Sequence, residues 1–287
     1  MGRIIRYRFF LFAGIFPYLL GQVIAYDTKI SFNFKNFWLG LIGIFLVLIG
    51  VELFNEYFDF KSGGDRVFSK EEFYIPDYFF LIGIGTFLIA FLIGLYLTFQ
   101  VGWLILLFSF LGFLGAYFYV GPPIRWAYKG FGEAVIGICY GPCMLLGSYY
   151  LQVKKIDFIP FFVSLICGLA IFCLALINEI PDYYQDRLVG KRNLVVRLGR
   201  ERALKLLRFS LFILYLLLSF GIVFHKIPLF TLIVFISLPF VLKSLFILFK
   251  NYENPNMFIM AVNTIITTYF LIIFSLSVGY LMQWKKN

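Results

Sequence analysis

One histidine occurs in the whole chain, His225, and it stands in an expected external turn, which leaves no room for a haem axial site or a histidine general base. Cysteine is nearly as scarce. Cys139, Cys143, Cys167 and Cys173 all fall inside long apolar stretches, with no histidine beside them and no loop to wrap a metal, so they read as small packing residues. Charge is thin as well: Asp, Glu, Lys and Arg make up 14% of the residues against 62% hydrophobic, with a mean hydropathy of +0.91. A soluble domain of this length could not carry such a balance without aggregating, so the chain reads as a polytopic membrane protein.

Crossing the hydrocarbon core takes roughly 20 apolar residues. Stretches of that kind can be laid at 9–27, 36–58, 77–98, 101–120, 130–151, 156–180, 203–224, 228–249 and 257–282, an expectation of nine spans in one all-α transmembrane domain over 1–287. The first follows Arg3, Arg6 and Arg8 but is too long for a signal peptide and is read as a retained helix. With nine spans, 18 of the 25 Lys and Arg fall on one side, which predicts a cytoplasmic N-terminus and an outside C-terminus in the cell membrane. The net charge of +10 follows from that bias and from the anionic cytoplasmic leaflet, and implies membrane lipid rather than nucleic acid as the partner.

In so apolar a chain, acids at span ends need a cause. Six of the 15 Asp and Glu lie in two similar stretches, "NEYFDFKSGGDR" at 55–66 and "NEIPDYYQDR" at 178–187, each at the cytoplasmic end of an even-numbered span. On a helix, Asn178, Asp182 and Asp186 share one face, about 6 Å apart at successive positions. Asn55 and Asp59 repeat the spacing; then Ser62-Gly63-Gly64 breaks the helix and Asp65 can return toward it from a loop. Two opposed carboxylate clusters in a poorly solvated place must share protons or hold divalent cations. Oxygen donors with no His or Cys favour Mg²⁺, which typically bridges a few carboxylates to phosphate oxygens. Lys61, Arg66, Arg187, Lys191 and Arg192 flank these acids, and Arg125 and Lys129 end the fourth span in "YVGPPIRWAYKGFGE". Such a rim suits a diphosphate.

These two stretches, with "YVGPPIRWAYKGFGEAVIGICYGPCMLLGSYY" between them, resemble the UbiA superfamily of intramembrane prenyltransferases, and within it the 1,4-dihydroxy-2-naphthoate polyprenyltransferases of menaquinone biosynthesis. The likeness runs from the N-terminal arginines to about Arg200, and the last three spans match in hydropathy only. It implies nine transmembrane helices around a central cavity that opens near the cytoplasmic side, where Mg²⁺ holds a prenyl diphosphate. Carried over, the metal ligands are Asn55, Asp59 and Asp65 from the first motif and Asn178, Asp182 and Asp186 from the second, with Asp59 and Asp182 central to catalysis. Tyr119 is the first candidate for the aromatic face that stabilises charge on the allylic carbon. Arg8, Lys61, Arg66, Lys191 and both Arg125 and Lys129 are eligible for the diphosphate. The expected reaction joins a donor of geranylgeranyl length or longer to an aromatic acceptor. Geranylgeranylglyceryl phosphate and 4-hydroxybenzoate are the alternative acceptors, and a cation-coupled transporter is the alternative outside enzymes.

Overall fold

A computed structural model describes residues 2–28, 30–61, 75–250 and 255–286, with side chains over 14–28, 30–61, 75–250 and 258–283. Every regular element among the described residues is helical: α1 (Gly2–Asp27), α2 (Phe34–Lys61), α3 (Tyr78–Val101), α4 (Leu104–Val120), α5 (Trp126–Lys129), α6 (Gly132–Ile138), a π-turn (Cys139–Cys143), α7 (Met144–Val153), α8 (Phe158–Glu179), α9 (Tyr183–Leu188), α10 (Leu194–Leu198), α11 (Arg200–Val223), a 3-10 segment (Leu229–Ser237), α12 (Leu238–Lys250) and α13 (Pro255–Lys286). Among the described residues, seven helical stretches are long and apolar enough to cross a membrane, and α4, with 17 residues, is a shorter apolar helix. At 1.5 Å per residue, α4 covers roughly 26 Å, slightly less than the hydrocarbon core of a typical bilayer.

The most thoroughly buried of the seven stretches is α8, packed against α6, the π-turn, α11 and α13. Its approach to the π-turn is backbone to backbone. A Cβ placed on Gly141 would meet the Cα of Gly168, with the Gly168 nitrogen at 2.6 Å and the Ser164 carbonyl oxygen at 2.7 Å. Small residues are how helices in lipid reach such separations, since no hydrophobic drive pulls them together there. Pro142 sits inside the π-turn and has no N–H to donate, so the regular ladder is already interrupted where the turn widens.

A polar seam fixes the other end of the bundle. Gln22 donates to the Ser148 carbonyl at 2.7 Å, Ser148 Oγ to the Tyr18 carbonyl at 2.7 Å, and Gln152 to Gln22 Oε1 at 2.9 Å. The Gln152 side-chain oxygen in turn accepts the Asn33 N–H at 2.8 Å, tying the turn before α2 to α7. Each group meets a partner, as buried polar atoms in lipid must.

The structure corrects one expectation. Asn178, Asp182 and Asp186 do not ride a single helix: α8 stops at Glu179 and α9 starts only at Tyr183. Pro181 is the cause: Ile180 still has helical φ and ψ, but Pro181 has no N–H to continue the ladder of α8. Asp182 becomes the residue that opens α9, its carbonyl accepting the Asp186 N–H at 2.8 Å.

Candidate active site

The bundle holds a half-open cavity of about 1260 Å³ whose wall is built mainly from α2, α3, α4 and the α6–α7 stretch. Leucine, isoleucine, valine and phenylalanine supply nearly half of its lining residues, and the cavity runs past Leu97, Trp103 and Leu151. Its charged and amide residues, Glu52 apart, gather where α2 and α8 end. Asn55 and Asp59 come from the last two turns of α2, Asn178 and Glu179 from the last turn of α8, Lys191 from the loop after α9, and Tyr119 from the end of α4. Two motifs 123 residues apart (178 minus 55) thus meet at one cavity, and Asp59 is near enough to Lys191 to act on its charge.

Lys191 is the hub. Its Nζ lies 2.9 Å from Glu179 Oε2 and 3.3 Å from Asp186 Oδ2. Asn193 Nδ2 bridges the same two carboxylates at 2.6 Å each, and its Oδ1 caps α10 by accepting the Val196 N–H at 2.8 Å. Behind the loop, buried Glu133 accepts the Leu194 N–H at 3.2 Å. Burial by itself would lower the Lys191 pKa, but Glu179 and Asp186, with Tyr119 and Asp59 behind them, hold it well above the ordinary lysine value, so it stays a cation. Burial pushes the Asp186 carboxyl up to about 7; Lys191 opposes this and Glu179 adds to it. One lysine is thus shared between two acids.

The other expected site residues are placed as follows. Asp182 stands half-buried at the α8–α9 break, outside the cavity wall, and Asp186 is buried in the Lys191–Asn193 cluster. Lys61 pairs with Asp77 at 3.1 Å and lies over the Tyr57 ring, and Arg125 stacks on Tyr128. Lys129 is exposed. None of these three lines the cavity. Asp65 and Arg66 fall outside the described residues, and Arg8 lies on α1 where only the backbone is described.

Three residues of the site were not singled out from the sequence: Glu133, Asn193 and Glu52, the last lining the cavity one turn before Asn55. Glu52 and Glu133 had a signal, since each is an acid inside an apolar span. For Asn193 the only signal was its place just before the apolar run of α10, an N-cap pattern.

Among the described residues no group of three or more His, Cys, Asp and Glu gathers as a metal site. A fit to Mg²⁺ rests on other donors: Asn55 Oδ1 is buried with no hydrogen-bond partner among the described residues, and Asn55 lines the cavity together with Asp59 and Asn178. An orphaned amide oxygen with one or two carboxylates, completed by water and phosphate oxygens, is a donor set Mg²⁺ accepts.

The model of the UbiA prenyltransferase family matches residues 14–265. The chain belongs to this family. Among curated proteins, this UbiA prenyltransferase is 28% identical over 283 residues to the 1,4-dihydroxy-2-naphthoate octaprenyltransferase of Bacillus subtilis, covering 96% of this chain and 90% of the relative. It is 26% identical to the 2-carboxy-1,4-naphthoquinone phytyltransferase of Synechocystis, covering 84% and 80%. In fold it matches a digeranylgeranylglyceryl phosphate synthase (TM-score 0.72, 15% identity, 98% and 100% covered). It also matches a UbiA homologue from Archaeoglobus fulgidus bound to DMAPP and Mg²⁺ (TM-score 0.59, 18% identity, 93% and 98% covered). Family membership makes the chain a multi-pass membrane enzyme that transfers prenyl groups, and the transporter reading is set aside.

The Lys191 cluster yields a stability test. In Lys191→Met, Glu179 and Asp186 lose their shared cation, and leaving buried charge without its partner costs about 3 kcal/mol or more. Thermal unfolding in detergent is expected to show that loss, with Lys191→Arg recovering most of it.

Proposed function

We propose that this UbiA prenyltransferase moves a polyprenyl group from its diphosphate to 1,4-dihydroxy-2-naphthoate, the step that attaches the tail in menaquinone biosynthesis. The observation that carries the reading is one cavity with an apolar body and, at one end, Asn55, Asp59, Asn178 and Lys191 together. The acceptor is taken from the naphthoate-directed relatives, which align over most of the chain. The nine crossings and a donor of geranylgeranyl length or longer belong to the same proposal; the cytoplasmic placement of the polar end and N-terminus and the outside C-terminus, in the cell membrane, belong to it on the basic-residue bias of 18 against 7.

Asn55, Asp59, Asn178 and Asp182 would hold Mg²⁺, with Asp65 completing the first motif and Asp186 the second. When bound, Mg²⁺ neutralises diphosphate oxygens and makes diphosphate a better leaving group. Lys191, kept cationic by its acids, adds a further positive charge at the rim, and we assign it the diphosphate in preference to Lys61, Arg125 and Lys129, none of which lines the cavity. The Tyr119 ring faces the cavity beside these residues, placed to stabilise positive charge on the allylic carbon. The apolar wall holds the tail and keeps water from the cation.

The test is to incubate purified protein in detergent with geranylgeranyl diphosphate, Mg²⁺ and, separately, 1,4-dihydroxy-2-naphthoate, 4-hydroxybenzoate and geranylgeranylglyceryl phosphate, and to weigh the lipids. A prenylated naphthalene is expected as the main product. Product from the glycerol phosphate or the benzoate alone would overturn the acceptor assignment.

A further inference from the structure

Glu52 is a carboxylate that the donor cannot satisfy. It sits half-buried on the cavity-facing side of α2, with Asn55 three residues and Asp59 seven residues on along the same face. It makes no hydrogen bond or ion pair among the described residues. At 1.5 Å per residue it stands about 4.5 Å deeper than Asn55. If the diphosphate lies at Asn55 and Asp59, that depth is level with the allylic carbon and the first isoprene unit. Nothing in a hydrocarbon tail donates a hydrogen bond, and a carboxylate facing only such a tail would be costly. Tyr140, presented by the π-turn, shares the cavity and lies within electrostatic reach of Glu52. Its ring is seated against Leu48 by the close approach of Gly14 on α1, where a Cβ would meet both at 2.7 Å. Elsewhere the wall is mostly apolar, and the Tyr18 and Ser148 hydroxyls that also line it donate to backbone carbonyls, so an aromatic ring carrying hydroxyls finds a free carboxyl acceptor at the Glu52 level.

We propose that Glu52 is the acceptor-binding residue: its carboxylate takes the hydrogen bond of the acceptor's ring hydroxyl, and receives that proton as the new carbon–carbon bond forms. The inference rests on the prenyl-transfer reading above. As the O–H bond breaks, its electron pair becomes the π bond of a ring carbonyl. The displaced ring pair bonds to the allylic carbon, and the allylic C–O pair leaves with diphosphate. The attacked carbon then releases its group as a proton or carbon dioxide, the freed pair restores the aromatic ring, the carbonyl π pair returns to oxygen, and that oxygen takes the proton back from Glu52.

The experiment compares wild-type, Glu52→Gln and Glu52→Asp full-length protein in detergent. Acceptor and donor are varied in turn, and acceptor binding without donor is measured by titration calorimetry. In Glu52→Gln the acceptor KM and Kd are expected to rise at least about tenfold, as for a lost hydrogen bond to a charged group. The kcat is expected to fall with them, the donor KM and Mg²⁺ requirement to stay within about twofold of wild type, and Glu52→Asp to recover part of the loss. The O-methylated acceptor, which has no proton to donate at that oxygen, is expected to bind the wild type as weakly as the parent acceptor binds Glu52→Gln, and Glu52→Gln no more weakly still. An active Glu52→Gln enzyme with unchanged acceptor affinity, or one altered in donor KM or Mg²⁺ requirement instead, overturns the assignment. Wild-type protein that prenylates no aromatic acceptor overturns the prenyl-transfer reading itself.

Discussion

Asp59→Asn is expected to reduce prenyl transfer about a thousandfold or more while leaving the protein folded and extractable. A bound divalent ion stabilises the departing diphosphate by several kcal/mol, and each 1.4 kcal/mol is a factor of ten in rate. Asparagine keeps the volume and one oxygen but gives up the charge that Mg²⁺ needs. Asp59 lies at the polar end of the cavity, among Asn55, Asn178, Glu179 and Lys191, and its negative charge acts in the same direction as that of Glu179 on Lys191 and Tyr119. Removing one of several mutually repelling carboxylates from the metal-free site should therefore leave the unfolding temperature in detergent unchanged or raised. Asp182→Asn is expected to give the same pattern. Two checks suffice: product mass with Mg²⁺ titrated from zero, and thermal unfolding with chelator present. Transfer within a few-fold of wild type in both variants would remove the metal assignment. Chelation of the wild type is expected to stop turnover, and added Mg²⁺ to restore it.

Gly141→Val is expected to destabilise the membrane core by about 3 kcal/mol, the upper part of the usual range for overpacking. The atoms its side chain would meet are backbone atoms of α8, the Gly168 nitrogen and the Ser164 carbonyl oxygen, and backbone cannot rotate aside as a side chain can. The π-turn would have to lift away from α8, carrying Cys139 and Tyr140 out of the cavity wall. Loss of monodisperse protein in detergent, or a large fall in unfolding temperature, is the readout. Gly85→Ala on α3 is the control, because a Cβ there meets nothing within 4 Å, and its effect is expected to stay below about 0.5 kcal/mol. Equal stability in the two variants would mean that α8 and the π-turn do not pack this closely.

Much of this could be read from the chain. The apolar stretches reappear as helices within a few residues, because roughly 20 apolar residues in lipid have little choice but to satisfy their backbone internally. The two Asn-x-x-x-Asp motifs and the family were legible because metal and diphosphate chemistry constrains residue type and spacing together. The continuous helix through Asp186 was a misreading of local chemistry. Pro181 stands in the motif, and its missing N–H ends α8. The eligible cations were harder to separate, since a basic residue near a span end looks alike whether it orients the chain or binds a ligand.

By itself the sequence determined the solvent, the helical class and the family, and nominated acids for the chemistry, all of which depend on composition and on spacing along one strand of chain. Only the tertiary structure decided which side chains share the cavity. It brought Asn55 and Asn178 to the same end, set Lys191 rather than Lys61, Arg125 or Lys129 beside them, tied Asp186 to Asn193, and left Glu52 facing the apolar wall. Those outcomes turn on how helices distant in sequence pack, down to the contact between Gly141 and Gly168, and no local pattern encodes the direction in which a side chain at a helix end will point once its neighbours are in place.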